Sequence, residues 1–197
     1  MDRLKSAVVF SARQLLGFEF CVQLLEKGYT VFAEDFMEWQ NEEHEEKWLF
    51  IGRNANLQYN QLDDLLRAKE NMHIHYVFIP LPDFYTRDFP QIQKQFIDLL
   101  KRLSKDETFS QTNFIIVQPS AIQHRSSFFH SEIEKIKSEI HQRGNRVLEY
   151  CITIDEQDPF LLFTSKLNKN WTSLKLESSS IAHEIIAHVE NNIFIKK

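Results

Sequence analysis

Short apolar runs alternate along this chain with longer segments in which apolar residues recur at helical spacing. Six runs have the length and content of strands, and they cover residues 6–11, 29–34, 47–51, 73–79, 112–118 and 146–154. The segments between most of them predict helices over residues 15–27, 59–69, 89–103, 126–143 and 179–191. Each crossover helix must pass over one face of the sheet, so the pattern predicts parallel strands covered by helices on both sides.

We therefore expect an α/β fold with a doubly wound, mostly parallel sheet of about six to seven strands, of the Rossmann-like class. No repeat, low-complexity tract or linker divides the chain, so residues 1–197 are expected to form one domain. Residues 155–177 are too few for a separate substrate lobe. Ligands of such sheets bind beyond the carboxyl ends of the strands. The segments to inspect are 11–16, 34–36, 52–56, 80–84 and 118–122.

The most specific segment is AVVFSARQLLGFEFCVQLLEKGYTVFAED at residues 7–35, which has the layout of the first strand, turn, helix and second strand of a dinucleotide-binding unit. Such a turn normally carries G-x-x-G-x-x-G, whereas here those positions hold Ser11, Gln14 and Gly17. Gly17 is the glycine that lets the helix pack on the strand. The side chains of Gln14 and Leu15 are expected to project into the space that a pyrophosphate needs.

Charge is unevenly distributed along the chain, which has a net charge of -5. Residues 34–46 contain seven acidic residues and no lysine or arginine, and we interpret this stretch as an acidic, solvated loop. No basic stripe is present, so nucleic acid is not an expected partner. No segment is apolar enough to span a membrane and the N-terminus does not resemble a signal peptide, so a cytoplasmic protein with reduced Cys21 and Cys151 is expected.

On the 7–35 segment and on SSSIAHEIIAHVEN near the C-terminus, the chain resembles the short-chain dehydrogenase/reductase superfamily, in particular its atypical or extended NAD(P)-dependent epimerase-like members. The resemblance implies a dinucleotide site in which Ser11, Arg13, Gln14 and Gly17 form the phosphate turn. It also implies that Asp35 stands where the family's acidic residue bonds the adenosine ribose, which favours NAD over NADP.

Catalysis in that superfamily needs Tyr-x-x-x-Lys, because the lysine lowers the pKa of the tyrosine. The residues four positions after the five tyrosines are Ala33, Asp63, Pro80, Phe89 and Ile154, so the motif is missing. The helix expected to hold it reads FFHSE at residues 128–132. Ser120 lies near the position of the family's serine but is interpreted as a turn residue. We therefore expect a degenerate member with no catalytic residues and only a vestigial cofactor turn.

Two further features bear on whether a nicotinamide or a metal ion can bind. Pro80, Pro82, Phe84 and Tyr85 follow the fourth strand, where they would crowd a nicotinamide. His73 and His75 alternate on a strand, but no cysteine or carboxylate accompanies them at ligand spacing, so no metal is expected.

Three functional hypotheses remain. The first is a Rossmann-like pseudoenzyme that acts by binding a protein or a second copy of itself, since the family dimerises through helices that correspond to residues 89–104 and 126–143. The second is an enzyme or sensor that binds NAD(P) or another nucleotide in an altered pose through Asp35, Arg13 and the amides of residues 12–16. The third is an adaptor whose acidic residues 34–46 bind a basic partner. No cofactor is expected under the first hypothesis, and NAD is the expected one under the second.

Overall fold

The computed structural model describes residues 5–39, 42–61, 73–86, 89–119, 128–154, 161–165, 172–176 and 178–194. Its strands are β1 (Ser6–Phe10), β2 (Thr30–Asp35), β3 (Leu57–Gln61), β4 (Tyr76–Pro80), β5 (Asn113–Pro119), β6 (Arg146–Ile154), β7 (Leu161–Ser165) and β8 (Thr172–Leu176). Its helices are α1 (Leu15–Glu26), α2 (Glu42–Trp48), α3 (Pro82–Thr86), α4 (Pro90–Leu103), α5 (Phe128–Gln142) and α6 (Ser178–Phe194). Short 3-10 turns occur at Met37–Trp39 and Glu107–Phe109.

The strands form one sheet in the order β3-β2-β1-β4-β5-β6-β7-β8. The pairs among the first six strands in that order are parallel, and β7 and β8 are added antiparallel to β6. The strand order reverses between β1 and β4, because β2 lies on one side of β1 and β4 on the other. The predicted doubly wound α/β fold is confirmed, and its ligand-binding crevice would lie beyond Phe10 and Pro80.

Both faces of the central strands are buried. Ala7 and Val9 of β1 belong to a core formed with α1 and α6, whereas Val8 and Phe10 belong to a core formed with α4 and α5. This alternation follows from the two-residue period of a strand. Helices therefore fix the sheet from both sides and hold the carboxyl ends of β1, β4 and β5 in place.

The predicted third strand is wrong. Residues 47–51 form the end of α2 and the turn that follows it, and the strand lies at Leu57–Gln61 instead. The helix predicted at 59–69 is therefore wrong at residues 59–61, and its remainder lies outside the described residues. The apolar run at 47–51 is explained by Trp48, which is buried at the end of α2 against Phe18 and Tyr59. Segment 52–56 consequently precedes β3 and does not follow its carboxyl end.

The sheet also contains more strands than predicted. The stretch 155–177, expected to connect the sixth strand to the last helix, contains β7 and β8. These strands extend the same sheet, so the described residues contain eight strands rather than six or seven.

Gly17 sets the distance between α1 and β1. A Cβ at this position would overlap the Ser11 carbonyl oxygen and would lie 3.0 Å from the Phe10 carbonyl oxygen. Those atoms are backbone and cannot rotate away as a side chain can. Gly17 is therefore required by the fold alone.

We expect Gly17→Ala to lower the free energy of unfolding by about 2–4 kcal/mol, because the helix must move away from the strand to relieve the overlap. Urea denaturation measures this change, and Glu26→Ala, at an exposed position of the same helix, is the matched control. Equal midpoints for Gly17→Ala and the native chain would contradict this account of the packing.

Candidate functional site

The β1–α1 turn begins with a residue in a conformation that favours glycine. Ser11 has a φ of 51° and is fully buried, and its carbonyl oxygen accepts a hydrogen bond from the Gln14 N–H at 2.9 Å. A non-glycine residue in the left-handed region costs on the order of 1 kcal/mol. The Ser11 Oγ is buried without a hydrogen-bond partner among the described residues. The turn thus has the left-handed backbone conformation that glycine favours, with a serine at that position.

Asp35 ties this turn to the end of β2. Its two carboxylate oxygens accept backbone N–H groups, Oδ2 from Arg13 and Oδ1 from Phe36, each at 2.8 Å. The side chain is fully buried, and this burial raises the pKa of Asp35 to about 6 although both hydrogen bonds oppose the rise. The carboxylate that the resemblance assigns to a ribose is therefore engaged within the protein.

Arg13 is held by two aromatic rings and a carboxylate. Its guanidinium lies over the ring of Tyr59 at 4.3 Å and over that of Trp48 at 5.2 Å, and it donates a hydrogen bond to Glu45 Oε1 at 3.1 Å. Stacking of a guanidinium on aromatic rings contributes on the order of 1 kcal/mol. Arg13 thus connects the turn to β3 and α2, and its charge is already paired.

Gln14 and two aromatic side chains lie close together beyond the carboxyl ends of β1, β2 and β4. Gln14 is 1% exposed, and its Nε2 donates to the Trp39 carbonyl oxygen at 3.4 Å. The Trp39 ring lies 4.6 Å from that of Phe84, which follows β4. Trp39 therefore connects the segment after β2 to the segment after β4. Leu15 differs from Gln14 in that its side chain is 55% exposed, at the first position of α1.

Phe84 belongs to a larger aromatic cluster beneath this contact. It is fully buried and stacks on Phe96 at 4.3 Å and on Phe129 at 5.7 Å, with interplanar angles of 17° and 18°. Phe36 lies edge-on to it at 5.8 Å. Well-packed aromatic rings are costly to displace, and Phe-to-Ala changes in cores cost about 3–5 kcal/mol. Opening this space for a ligand would require several of these contacts to break.

The tyrosines near the sheet ends lack the features of a catalytic phenol. The Tyr85 Oη lies 3.1 Å from His130 Nδ1, and the Tyr150 Oη lies 2.7 Å from His188 Nδ1. Burial raises the pKa of both phenols above their ordinary value, which is opposite to the shift that Tyr-x-x-x-Lys chemistry needs. Ser120 lies outside the described residues.

The acidic stretch is not the predicted loop. Glu34 and Asp35 are fully buried at the end of β2, and Asn60 donates to Glu34 Oε1 at 3.2 Å. Met37–Trp39 forms a 3-10 turn, and Glu42–Trp48 forms α2. Sequence reasoning overlooked Trp39 because its acidic neighbours dominated the pattern. The signal that could have found it is the pair of aromatic residues, Phe36 and Trp39, inside a charged run.

The described part of the chain shows neither a cluster of metal ligands nor a helix that could span a membrane. His73 and His75 lie at the amino end of β4 with ring centroids 4.6 Å apart, and His75 Nδ1 lies 3.1 Å from Ser6 Oγ. No group of three or more histidine, cysteine or acidic residues within the described ranges is arranged to hold a metal. None of the described helices is both long and apolar enough to cross a membrane.

Comparison with known proteins agrees with this geometry at the level of fold. Neither a protein-family model nor a curated protein sequence matches the chain. An oxidoreductase of the short-chain dehydrogenase/reductase family from Aeromonas hydrophila matches with a TM-score of 0.60 and 13% identity over 93% of this chain and 91% of that one. The fold of the present chain is therefore that of the short-chain dehydrogenases/reductases.

Two other solved structures are similar. A short-chain dehydrogenase from Sphingobium yanoikuyae, in complex with NADPH, has a TM-score of 0.57 and 11% identity over 95% of this chain and 85% of that one. The enzyme WbmH from Bordetella bronchiseptica, in complex with NAD+, has a TM-score of 0.54 and 13% identity over 77% of this chain. The matched part covers 57% of WbmH, so this chain spans little more than half of that enzyme's length.

The buried Asp35 gives stability a characteristic pH dependence. The pKa of Asp35 is about 6 in the folded state, and its ordinary value is 3.8. Between pH 3.8 and pH 6 the folded state therefore binds more protons than the unfolded state. Its contribution to the free energy of unfolding therefore falls as pH rises from 4 to 6 and is constant above that range. Relative to Asp35→Asn, we expect the native chain to lose at most about 3 kcal/mol over this interval.

Chemical denaturation at pH 4, 5, 6 and 7 measures this difference. Asp98→Asn, at an exposed position of α4, is the control and should follow the native profile. If the stability of Asp35→Asn depended on pH in the same way as that of the native chain, burial would not perturb the ionisation of Asp35 and the prediction would be wrong.

Proposed function

We propose that this chain is a non-catalytic, Rossmann-like protein, a pseudoenzyme of the short-chain dehydrogenase type that acts by binding another protein or itself. The observation that carries the proposal is the contact between Trp39 and Phe84 across the crevice at the switch in strand order. Gln14 seals the same space from the side of the β1–α1 turn. The residues of the turn thus do not fit a dinucleotide in the pose that the fold normally uses.

The phosphate position provides the first support. A pyrophosphate binds at a helix N-terminus when backbone N–H groups are open to close approach. In this turn the Arg13 N–H is directed to Asp35, and the Gln14 N–H to the Ser11 carbonyl oxygen. The Arg13 guanidinium, the cation nearest in sequence, is held by Glu45 and two aromatic rings. Ser11 and Gly17 contribute shape to the turn without contributing a site for an anion.

The redox position provides the second support. The beginning of α5 presents Phe129, which packs against Phe84 and Tyr85, and Glu132, which bonds Lys101 at 2.6 Å. A ring without a hydroxyl and a paired carboxylate cannot exchange a proton with a substrate carbonyl. Loss of the phenol and filling of the crevice are independent changes that point to the same conclusion.

Binding of NAD(P) or another nucleotide in an altered pose is the second candidate function. The buried Ser11 Oγ has no hydrogen-bond partner within the described ranges, and a polar group of a ligand could supply one. Solved structures of similar fold are complexes with NAD+ and NADPH. This candidate requires the Trp39–Phe84 contact to open.

Self-association through α4 and α5 is one form that the proposed function can take. Their apolar stripes, which include Ile92, Phe96, Ile133 and Ile136, are buried within the protomer. A dimer would therefore have to use the outer polar face of these helices together with exposed Phe89 and Phe128, which are 43% and 74% exposed.

Dinucleotides and mononucleotides are expected to leave the melting temperature unchanged. The measurement is a thermal-shift titration of the full chain with NAD+, NADH, NADP+, NADPH, FAD and ATP to about 1 mM, with a dinucleotide-dependent short-chain dehydrogenase as positive control. A ligand at 100 times its Kd adds about 2.7 kcal/mol of stability, so binding at micromolar affinity would be plain. A clear saturable rise with any of these nucleotides would overturn the proposal and favour the second candidate.

The polar outer face of α4 and α5 predicts that a homodimer, where it forms, is weak. Light scattering coupled to gel filtration should then show a mass that rises with protein concentration from the monomer value of 23.5 kDa. Phe89→Ser and Phe128→Ser should remove the rise, because each deletes an exposed aromatic ring at the end of these helices. A constant monomer mass at high concentration would remove self-association and leave a different protein as the partner.

A further inference from the structure

Helix α1 carries an apolar stripe at the edge of the core, and Phe18 of this stripe packs against the core. Leu15, Phe18 and Val22 are spaced three and four residues apart, so they lie on one face of the helix. None is fully buried, and Leu15 is 55% exposed. The turn after α2 faces this stripe with Phe50, which is 87% exposed, and Ile51. Together these residues line a groove of about 620 Å³, called here the α1 groove.

The α1 groove is elongated. Its lining extends along the helix from Leu15 to Glu26, a distance of roughly 17 Å at 1.5 Å per residue. That length matches about three turns of a second helix lying along α1. A groove formed between a helix and a neighbouring turn, with apolar residues at helical spacing, is the usual seat of an amphipathic helix.

The charged lining of the groove consists of three carboxylates and two cations. Glu19 and Glu26 lie seven residues apart on α1, and Asp83 belongs to α3. Burial raises the pKa of Glu19, because its carboxylate is partly removed from water in the groove. Of the two cations in the lining, Arg13 is bound to Glu45, which lies outside the lining, so Lys47 beside Glu19 is left against three carboxylates. A partner that brings further positive charge would therefore complement this surface.

We propose that the α1 groove binds a short, basic amphipathic helix of a partner protein. Its apolar residues would cover Leu15, Phe18 and Phe50, and its lysine or arginine side chains would lie beside Glu19 and Glu26. This inference rests on the proposed function, since it names the surface and the kind of partner by which the protein acts. The groove begins at the β1–α1 turn, since Arg13 and Gln14 belong to its lining, and it continues along the outside of α1.

A dinucleotide does not fit the same groove. Its phosphates would meet the carboxylates of Glu19, Glu26 and Asp83, and repulsion of like charges disfavours that arrangement. The exposed aromatic ring of Phe50 supplies the kind of large anchor that interfaces between proteins favour.

The test is selection of helical peptides from a random display library of about 16 residues against the full chain. The expected result is enrichment of sequences with apolar residues at i, i+3 or i+4 and i+7 and with an excess of lysine and arginine. Enriched peptides are then synthesised with a fluorescent label and titrated by anisotropy. Enrichment of acidic peptides, of peptides without helical periodicity, or of none would overturn the inference.

Substitutions locate the site of the selected peptides. Leu15→Ser and Phe50→Ser should each weaken binding by about tenfold, because they remove exposed apolar anchors without disturbing the core. Met37→Ser is the matched control, since Met37 is 63% exposed, between Leu15 and Phe50, but does not line the groove. The double change Glu19→Gln and Glu26→Gln should weaken binding and reduce its dependence on salt, whereas Glu107→Gln and Glu139→Gln should leave both unchanged.

The outcomes separate this inference from the proposed function. Peptides that bind equally well to Leu15→Ser and Phe50→Ser would exclude the α1 groove and leave protein binding elsewhere intact. A nucleotide that stabilises the chain would count against the proposed function whatever the peptides do. A dimer that is lost with Leu15→Ser or Phe50→Ser but kept with Phe128→Ser would mean that a second copy covers the groove, and it would overturn the choice of partner.

Discussion

The buried carboxylate of Asp35 is the interaction on which the carboxyl end of the sheet depends. By accepting N–H groups from Arg13 and Phe36, it joins the turn after β1 to the segment after β2. With the turn fixed in this way, Gln14 can reach the Trp39 carbonyl oxygen and Trp39 can pack against Phe84. Two backbone hydrogen bonds to an ionised group contribute about 1.5–3 kcal/mol each, which helps to offset the cost of burying the charge.

The close approach of α1 to β1 accounts for the strained turn. Ser11 retains a positive φ because Gly17 brings α1 so close to β1 that the chain must leave the strand through a tight turn. Glycine would relieve the strain at Ser11, but nothing relieves the overlap that a side chain at Gly17 would cause. The two positions therefore differ in what they tolerate: one accepts a moderate energetic cost, and the other accepts no side chain.

The sequence was sufficient to predict the parallel sheet, the α1 unit and the role of Gly17, because each depends on local periodicity or on a close backbone approach. It misplaced β3, since Trp48 and Ile51 form an apolar run that belongs to a helix end, while Gln58 and Asn60 make the true edge strand look polar. It also overlooked Trp39. Side-chain direction within a turn depends on tertiary contacts, such as the bond from Gln14 to Trp39, that no single-sequence period encodes.

The contacts of Asp35 show that an acidic residue at a position known from ligand binding can also serve the fold. An acid at the end of β2 serves a ribose in a dinucleotide-binding site, and in this chain the same carboxylate binds two backbone N–H groups. Both roles need a small, ionised acceptor at the same point, so the packing of this turn is by itself a sufficient reason for an aspartate there. The identity of Asp35 is therefore weak evidence for a cofactor, because both of its carboxylate oxygens already accept hydrogen bonds within the protein.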